Sequence, residues 1–239
     1  MTSIRADEMD HRALNEEIRK TDECTVTGCL GQRFIASGMK EKKIVIEGIP
    51  GNALGAYLAG AEITVMSNAQ DAVGDTMNEG TIVIHGNVGD AVGYAMRGGR
   101  IFVRGDAGYR AGIHMKEYKE KKPVVIIGGR TGSFLGEYQA GGIIVVLGMH
   151  EDGKPIVGNF PCTGMHGGKM FLRGDTSAVI FPKNVKTQKA EKEDLEEIRD
   201  YMEEYCGVFG LDTETILNSD FTLVVPDSSN PYKQMYVAN

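Results

Sequence analysis

The chain has 239 residues, 41% hydrophobic and 25% charged, with 32 glycines, no tryptophan and a net charge of −7. That size suits one large domain or two small ones, soluble and globular, with a core of Ile, Val, Leu, Met and Ala. The acidic balance argues against a nucleic-acid or anionic-membrane partner, no apolar run reaches the ~18 residues that span a bilayer, and the opening MTSIRADEMDHR lacks the apolar stretch of a secretory signal, so the sequence reads as cytoplasmic.

Residues 1–20 form an N-terminal unit. Asp7–Lys20 reads as a short helix in which Leu14 and Ile18 stand four apart, and its polar bias fits a cap or a docking element. Residues 21–180 follow a different rule. Val26-Thr27-Gly28 with Gly31 opens it weakly, and then Gly55, Gly74, Gly93 and Gly112 recur every 19 residues. Seven positions before them stand Gly48, Ser67, Gly86 and Gly105, and four before them Gly51, Gln70, Gly89 and Gly108. A period of this length marks one supersecondary unit stacked on copies of itself.

Within each unit Ile44-Val45-Ile46-Glu47 steps to Ile63-Thr64-Val65-Met66, Ile82-Val83-Ile84-His85 and Ile101-Phe102-Val103-Arg104. The alternation predicts a strand whose first and third columns face a core, and whose second and fourth face solvent or another layer. Two further apolar ladders flank the last glycine of each unit: Leu54, Val73, Val92 and Ala111 before it, and Leu58, Met77, Met96 and Met115 after it. One such coil cannot bury its apolar face alone, but stacked coils can. The fold class is therefore all-β: a single-stranded parallel β-helix of about seven coils, right-handed because parallel crossovers take that hand.

Further along, Lys116–Lys122 (KEYKEKK) is a charged insertion that must loop out. The next coil runs from Val124 through Gly132 and Gly136. Ile143–Gly148 begins another, interrupted at His150–Pro155, and Lys169–Gly174 supplies a final strand. From Lys183 the glycines stop. Leu195, Ile198, Met202, Tyr205 and Phe209 keep helical spacing in the charged stretch that begins at Lys186, predicting an amphipathic helix that caps the last coil or binds a partner. Residues 181–239 thus form a C-terminal unit of helix, short strand (Thr222–Val225) and polar tail.

Candidate chemistry is sparse. GIPGNALG and GNVGDAVG look like phosphate-binding loops, but such a site occurs once, between strand and helix, whereas this motif recurs on every coil ahead of another strand. The glycines Gly48, Gly51, Gly55, Gly74, Gly86, Gly89, Gly93, Gly105, Gly108, Gly112, Gly132 and Gly136 are read as structural turn positions. Asp71 and Asp90 share a column on adjacent coils, which suits paired acid–base work or a cation, yet Asn52, Tyr109 and Ser133 complete the column and point to a polar turn in which Asx side chains satisfy local backbone. His85, His114, His150 and His166 lack metal-ligand spacing, and His85 falls in an outward column. Cys24, Cys29, Cys162 and Cys206 form no CxxC pair and read as reduced thiols. Ser133 and Cys162 lack a nucleophile's context.

The coils, with NAQDAVGDTMNEGTIVIHG at Asn68–Gly86, the insertion within Gly105–Gly148 and the closing MHGG at Met165–Gly168, resemble the GXGXG domain of the glutamate synthase large subunit, in the archaeal-type arrangement where it is a separate chain. The resemblance implies a role in forming glutamate from glutamine and 2-oxoglutarate. It also implies that the catalytic cysteine lies on a glutaminase chain, and FMN with an iron–sulfur cluster on a synthase chain. No catalytic, cofactor or metal residue carries over to this sequence. The expected role is a non-catalytic structural subunit that holds both partners in register, with homo-oligomerisation left open. Two alternatives stand beside it. The β-helix subunit of formylmethanofuran dehydrogenase has a similar repeat but more uniform coils. A left-handed hexapeptide acyltransferase needs coils of 18 rather than 19.

Overall fold

A computed structural model describes residues 2–149 and 153–227; His150 and the polar tail after Asp227 lie outside the described residues. The described strands form one sheet of 11. Strand β1 (Thr2–Arg5) and helix α1 (His11–Arg19) precede the repeat. Eight strands follow in parallel: β2 (Glu23–Leu30), β3 (Lys43–Ile49), β4 (Ala59–Val65), β5 (Glu79–Ile84), β6 (Arg100–Val103), β7 (Val124–Ile127), β8 (Ala140–Val146) and β9 (Gly167–Arg173). The C-terminal unit comprises β10 (Val185–Lys189), α2 (Lys192–Glu196), α3 (Arg199–Phe209), α4 (Thr213–Leu217) and β11 (Phe221–Pro226). The whole is a β-solenoid of about seven turns.

Register follows the nineteen-residue columns. Ile44 pairs with Ile63, Ile63 with Ile82 and Ile82 with Ile101. The insertion is absorbed between β6 and β7, where Ile101 pairs with Val125 while Tyr118 and Lys121 close a small antiparallel loop outside the coil. A second, one-residue-wide ladder (Ala69, Val88, Ala107, Thr131, Val157) forms another wall. The core between the walls is made largely of stacked Ile, Val, Leu and Met.

Every coil turns its corner through three left-handed residues, each separated by one other residue. In coils two to six the first is Ala53, Ala72, Ala91, Arg110 or Phe134, the middle Gly55, Gly74, Gly93, Gly112 or Gly136, and the third Tyr57, Thr76, Ala95, His114 or Tyr138. Their φ values are alike, so positive φ alone does not place the glycines. Direction does: a Cβ on Gly55 would meet Ile82 Cδ1 at 2.6 Å, and one on Gly136 would meet Met170 Cε at 2.7 Å, whereas Arg110 at a first position and Tyr57, His114 and Tyr138 at third positions are exposed. The backbone is satisfied between coils. Ala53 N–H and Tyr57 N–H donate forward to Asp71 O and Asp75 O (2.9 and 2.7 Å), and Gly55 N–H donates back to Ile35 O (2.8 Å).

The first coil has no predecessor, and α1 supplies one. Asp10 caps the helix by accepting from the Arg12 and Ala13 N–H groups, while Leu14 and Ile18 plug the solenoid interior. Asn15, only 6% exposed, accepts from Ala36 N–H at 2.8 Å and donates to Phe34 O at 2.9 Å, replacing the backbone of a missing coil. Asn15→Leu leaves a buried N–H without a partner, so urea unfolding is expected to show a loss of about 2 kcal/mol.

At the other end the sheet edge is covered by β11, antiparallel to β9, with β10 outside it. Three details correct the sequence reading. The segment starting at Lys186 is strand β10 before it is helix. The helix breaks at Glu197–Ile198 into α2 and α3. And α3 covers the outer flank of the later coils rather than the end of the last one: Tyr205 packs edge-on against Phe102, Phe209 against His85, and the whole face joins Val83, Ile126, Val145 and Phe171. The second strand column is thus an inner face of another layer from coil four onward. Glu197 binds Lys122 of the looped-out insertion (3.2 Å) and Lys169 of β9, and Arg100 pairs with Glu204, tying this layer to the coils.

Candidate functional site

The glycine turns offer no phosphate cradle, because their N–H groups are already engaged between coils. Gly51 donates to Gln32 O (2.8 Å), Gly86 to Ser67 O (3.0 Å), Gly105 to Gly86 O (3.0 Å), Gly108 to Gly89 O (3.1 Å) and Gly132 to Gly108 O (3.0 Å). Crowding fixes several of these glycines. A Cβ at Gly48 would strike Cys29 O, at Gly89 the Asp71 carboxylate, and at Gly86 and Gly105 the amide oxygens of Asn68 and Asn87.

Those oxygens explain the polar columns. Asp71 Oδ1 accepts from Asp90 N–H at 2.9 Å, and Asp90 Oδ1 from Tyr109 N–H at 2.8 Å. Ser133 Oγ does the same for Asn159 N–H at 3.0 Å. In a parallel column Asn68, Asn87 and Asp106 accept from the N–H groups of Asn87, Asp106 and Arg130 at 2.8, 2.8 and 2.7 Å. Asp71 and Asp90 therefore stitch coil to coil rather than closing a local turn, and Ser133 is an acceptor in the same seam. An amide oxygen serves equally well, so Asp90→Asn is expected to melt within about 0.5 kcal/mol of the parent while Asp90→Ala loses about 1 kcal/mol, compared by thermal unfolding.

The histidines do not converge. His85 is half-buried under Phe209, and burial together with the nearby Arg104 holds its pKa below the ordinary imidazole value. His114 stands exposed on the corner, stacked on Tyr138 (centroids 5.2 Å, planes 9° apart) and edge-on to Tyr94 at 6.0 Å. His166 Nδ1 lies 3.0 Å from Gly164 O. The four cysteines are buried free thiols. Cys162 takes the middle corner position that glycine holds in the five preceding coils, its sulfur 3.8 Å from that of Met170; burial pushes its pKa up to about 12, which favours the protonated thiol at neutral pH. Among the described residues no three His, Cys, Asp or Glu side chains gather as metal ligands.

What the coils do bring together is an aromatic corner. Tyr94, His114 and Tyr138 line one edge; beside them Phe134 meets Phe160 at 5.4 Å, and Arg110 lies 4.9 Å over Phe134 while pairing with Glu137 at 3.0 Å. Aromatic rings and arginine are the side-chain types enriched at protein contact surfaces. The sequence carries the signal, since Tyr57, His114 and Tyr138 each stand two residues after a column glycine, but an outward direction there follows only once the left-handed corner is known. A second bare surface is the flank of the first coils, where Met66 is exposed and Val45 and Thr64 are half-buried, uncovered by α3. No helix among the described residues is long and apolar enough to cross a membrane.

Comparison with known proteins gives the family and a likeness of fold. The model of the GXGXG motif family matches residues 6–227. An uncharacterised protein of Methanocaldococcus jannaschii is 46% identical over 248 residues, covering 98% of this chain and 95% of that one. Among solved structures, a chain of the formyltransferase/hydrolase complex of Methylorubrum extorquens, determined with methylofuran, shares the fold with a TM-score of 0.66 and 19% identity over 84% of this chain and 72% of its own.

Proposed function

As this chain belongs to the GXGXG motif family, that of the C-terminal domain of the glutamate synthase large subunit, we propose that it is a non-catalytic platform subunit of a split glutamate synthase. In that role it packs against a separate glutaminase chain and a separate synthase chain that carries FMN and the iron–sulfur cluster. The observation that carries the reading is the division of the molecule. The turn donors of the inner coils and the Asx side chains are engaged in coil-to-coil bonds, whereas the aromatic corner and the first-coil flank remain exposed. Such a body offers contacts and, among the described residues, no gathered cluster of reacting groups. Ammonia handed from one active site to another requires fixed geometry and exclusion of water, which a stiff solenoid between two enzymes supports.

The test is purification of the tagged chain from cells that also express its natural partners. A flavin-containing chain and an amidotransferase are expected to co-elute, and the mixture to form glutamate from glutamine and 2-oxoglutarate; elution of the chain alone overturns the proposal. The fold likeness to a chain of a formyltransferase/hydrolase complex favours a second reading, a platform in a one-carbon-transfer assembly. Recovery of formyltransferase-type partners without flavin selects it.

A further inference from the structure

Building on the reading of a platform subunit, we propose that the C-terminal edge of the seventh coil is a docking site for an extended segment of a partner subunit, which completes part of an eighth coil. In each inner coil the wall residue and the first corner residue, three apart, donate to carbonyls three apart on the next coil. Ala107 N–H reaches Arg130 O (2.8 Å) and Arg110 N–H reaches Ser133 O (2.9 Å); one coil on, Thr131 N–H reaches Ile156 O (3.0 Å) and Phe134 N–H reaches Asn159 O (2.9 Å). The counterparts in the seventh coil are Val157 and Phe160. No coil follows them, and among the described residues their N–H groups meet no acceptor.

Both residues line a cavity of about 420 Å³ between this coil and the strand-connecting segment at 178–180. Thr131 lines it too, with its hydroxyl, 94% buried by residue, lacking any partner. The rim of the cavity carries large exposed apolar side chains, Phe160 at 63% and Ile180 at 86%, with Lys154 and Asn159 beside them. Paired N–H donors at ladder spacing, an unanswered buried hydroxyl and these exposed apolar side chains together call for a polypeptide backbone that brings apolar side chains. The room is that of a ligand-sized body. A second copy of this chain is a poor occupant, because the opposite end of the solenoid is closed by α1 and Asn15.

The test is amide hydrogen exchange in the full chain alone and in the assembly that co-purifies with it. Val157 and Phe160 are expected to exchange faster than Thr131 and Phe134 in the free chain, and to slow by about tenfold or more in the assembly. Ile180→Asp, at an exposed position outside the aromatic corner, is expected to lower partner recovery about tenfold with an unchanged melting temperature. Partners that bind without protecting these amides overturn this inference and leave the platform role standing, whereas absence of any partner removes the platform role itself. Protection already present in the free chain also overturns it: loss of that protection on truncation after Asp227 assigns the site to the chain's own tail, and dependence on concentration assigns it to self-association.

Discussion

Gly55→Val is expected to destabilise the protein by about 4 kcal/mol in urea unfolding, whereas Ala91→Gly is expected to leave it unchanged or about 0.5 kcal/mol more stable. Both positions are left-handed, with φ of +64° and +57°. At Gly55 two penalties add. A β-branched side chain in that conformation costs roughly 1–2 kcal/mol, and its Cβ lands 2.6 Å from Ile82 Cδ1 and 3.3 Å from Ile63 Cδ1, in a close-packed interior where overpacking costs about 1–3 kcal/mol. Ala91 is half-buried and is not among the buried core residues. Replacement by glycine relieves the left-handed strain but loosens the unfolded chain by about 0.4–1 kcal/mol, so the two nearly offset. The opposite responses separate a glycine required by the interior from a corner that merely has positive φ. If Gly55→Val stays within about 1 kcal/mol of the parent, the inward direction of the middle position is wrong.

The same contrast shows how far the sequence is readable. Ile44, Ile63, Ile82 and Ile101 announce their columns because strand pairing in a solenoid joins residues one period apart, and the period is short enough to see. The middle glycines are legible for the same reason. The left-handed state of Ala91 and Ala95 is not, since alanine gives no local signal for it and the conformation is held by bonds to neighbouring coils. Strand β1 hides because its four residues gain their pairing only from β2, twenty-two positions on. Strand β10 hides inside a charged run that looks helical, because its pairing partner β11 lies beyond three helices. Asn15 reads as an ordinary helix residue, although its amide stands in for a coil; only the position of Ala36 and Phe34 reveals that. Of the candidate site, the polar turn column of Asp71 and Asp90 is legible, but the direction of its hydrogen bonds, forward to the next coil, requires the stacked backbone.

Tyr205→Ala is expected to cost about 4 kcal/mol and to release the helical layer while the coils persist. Tyr205 is wholly buried, edge-on to Phe102 at 5.8 Å and to Phe209 at 4.8 Å, and its removal empties the centre of the outer cluster. Its hydroxyl donates to Val103 O at 3.2 Å, which already accepts from Gly128 N–H at 2.8 Å, so Tyr205→Phe leaves no carbonyl unanswered and is expected to lose about 1 kcal/mol or less. A Cβ at Gly128 would strike the backbone oxygen of Arg104 as well as that hydroxyl, which explains a glycine outside the nineteen-residue grid. Limited proteolysis checks the first variant: new cleavage between Lys192 and Leu217, with the sheet's far-ultraviolet signal retained, is the expected result. The loss matters for the proposed role, because the layer also holds Lys122 and Lys169 through Glu197 and so anchors the insertion to the solenoid wall. If Tyr205→Ala melts with the parent and shows no new cleavage, α3 is not fixed by this cluster. The apolar second column from Val83 to Phe171 would then need a covering partner other than the chain's own helix.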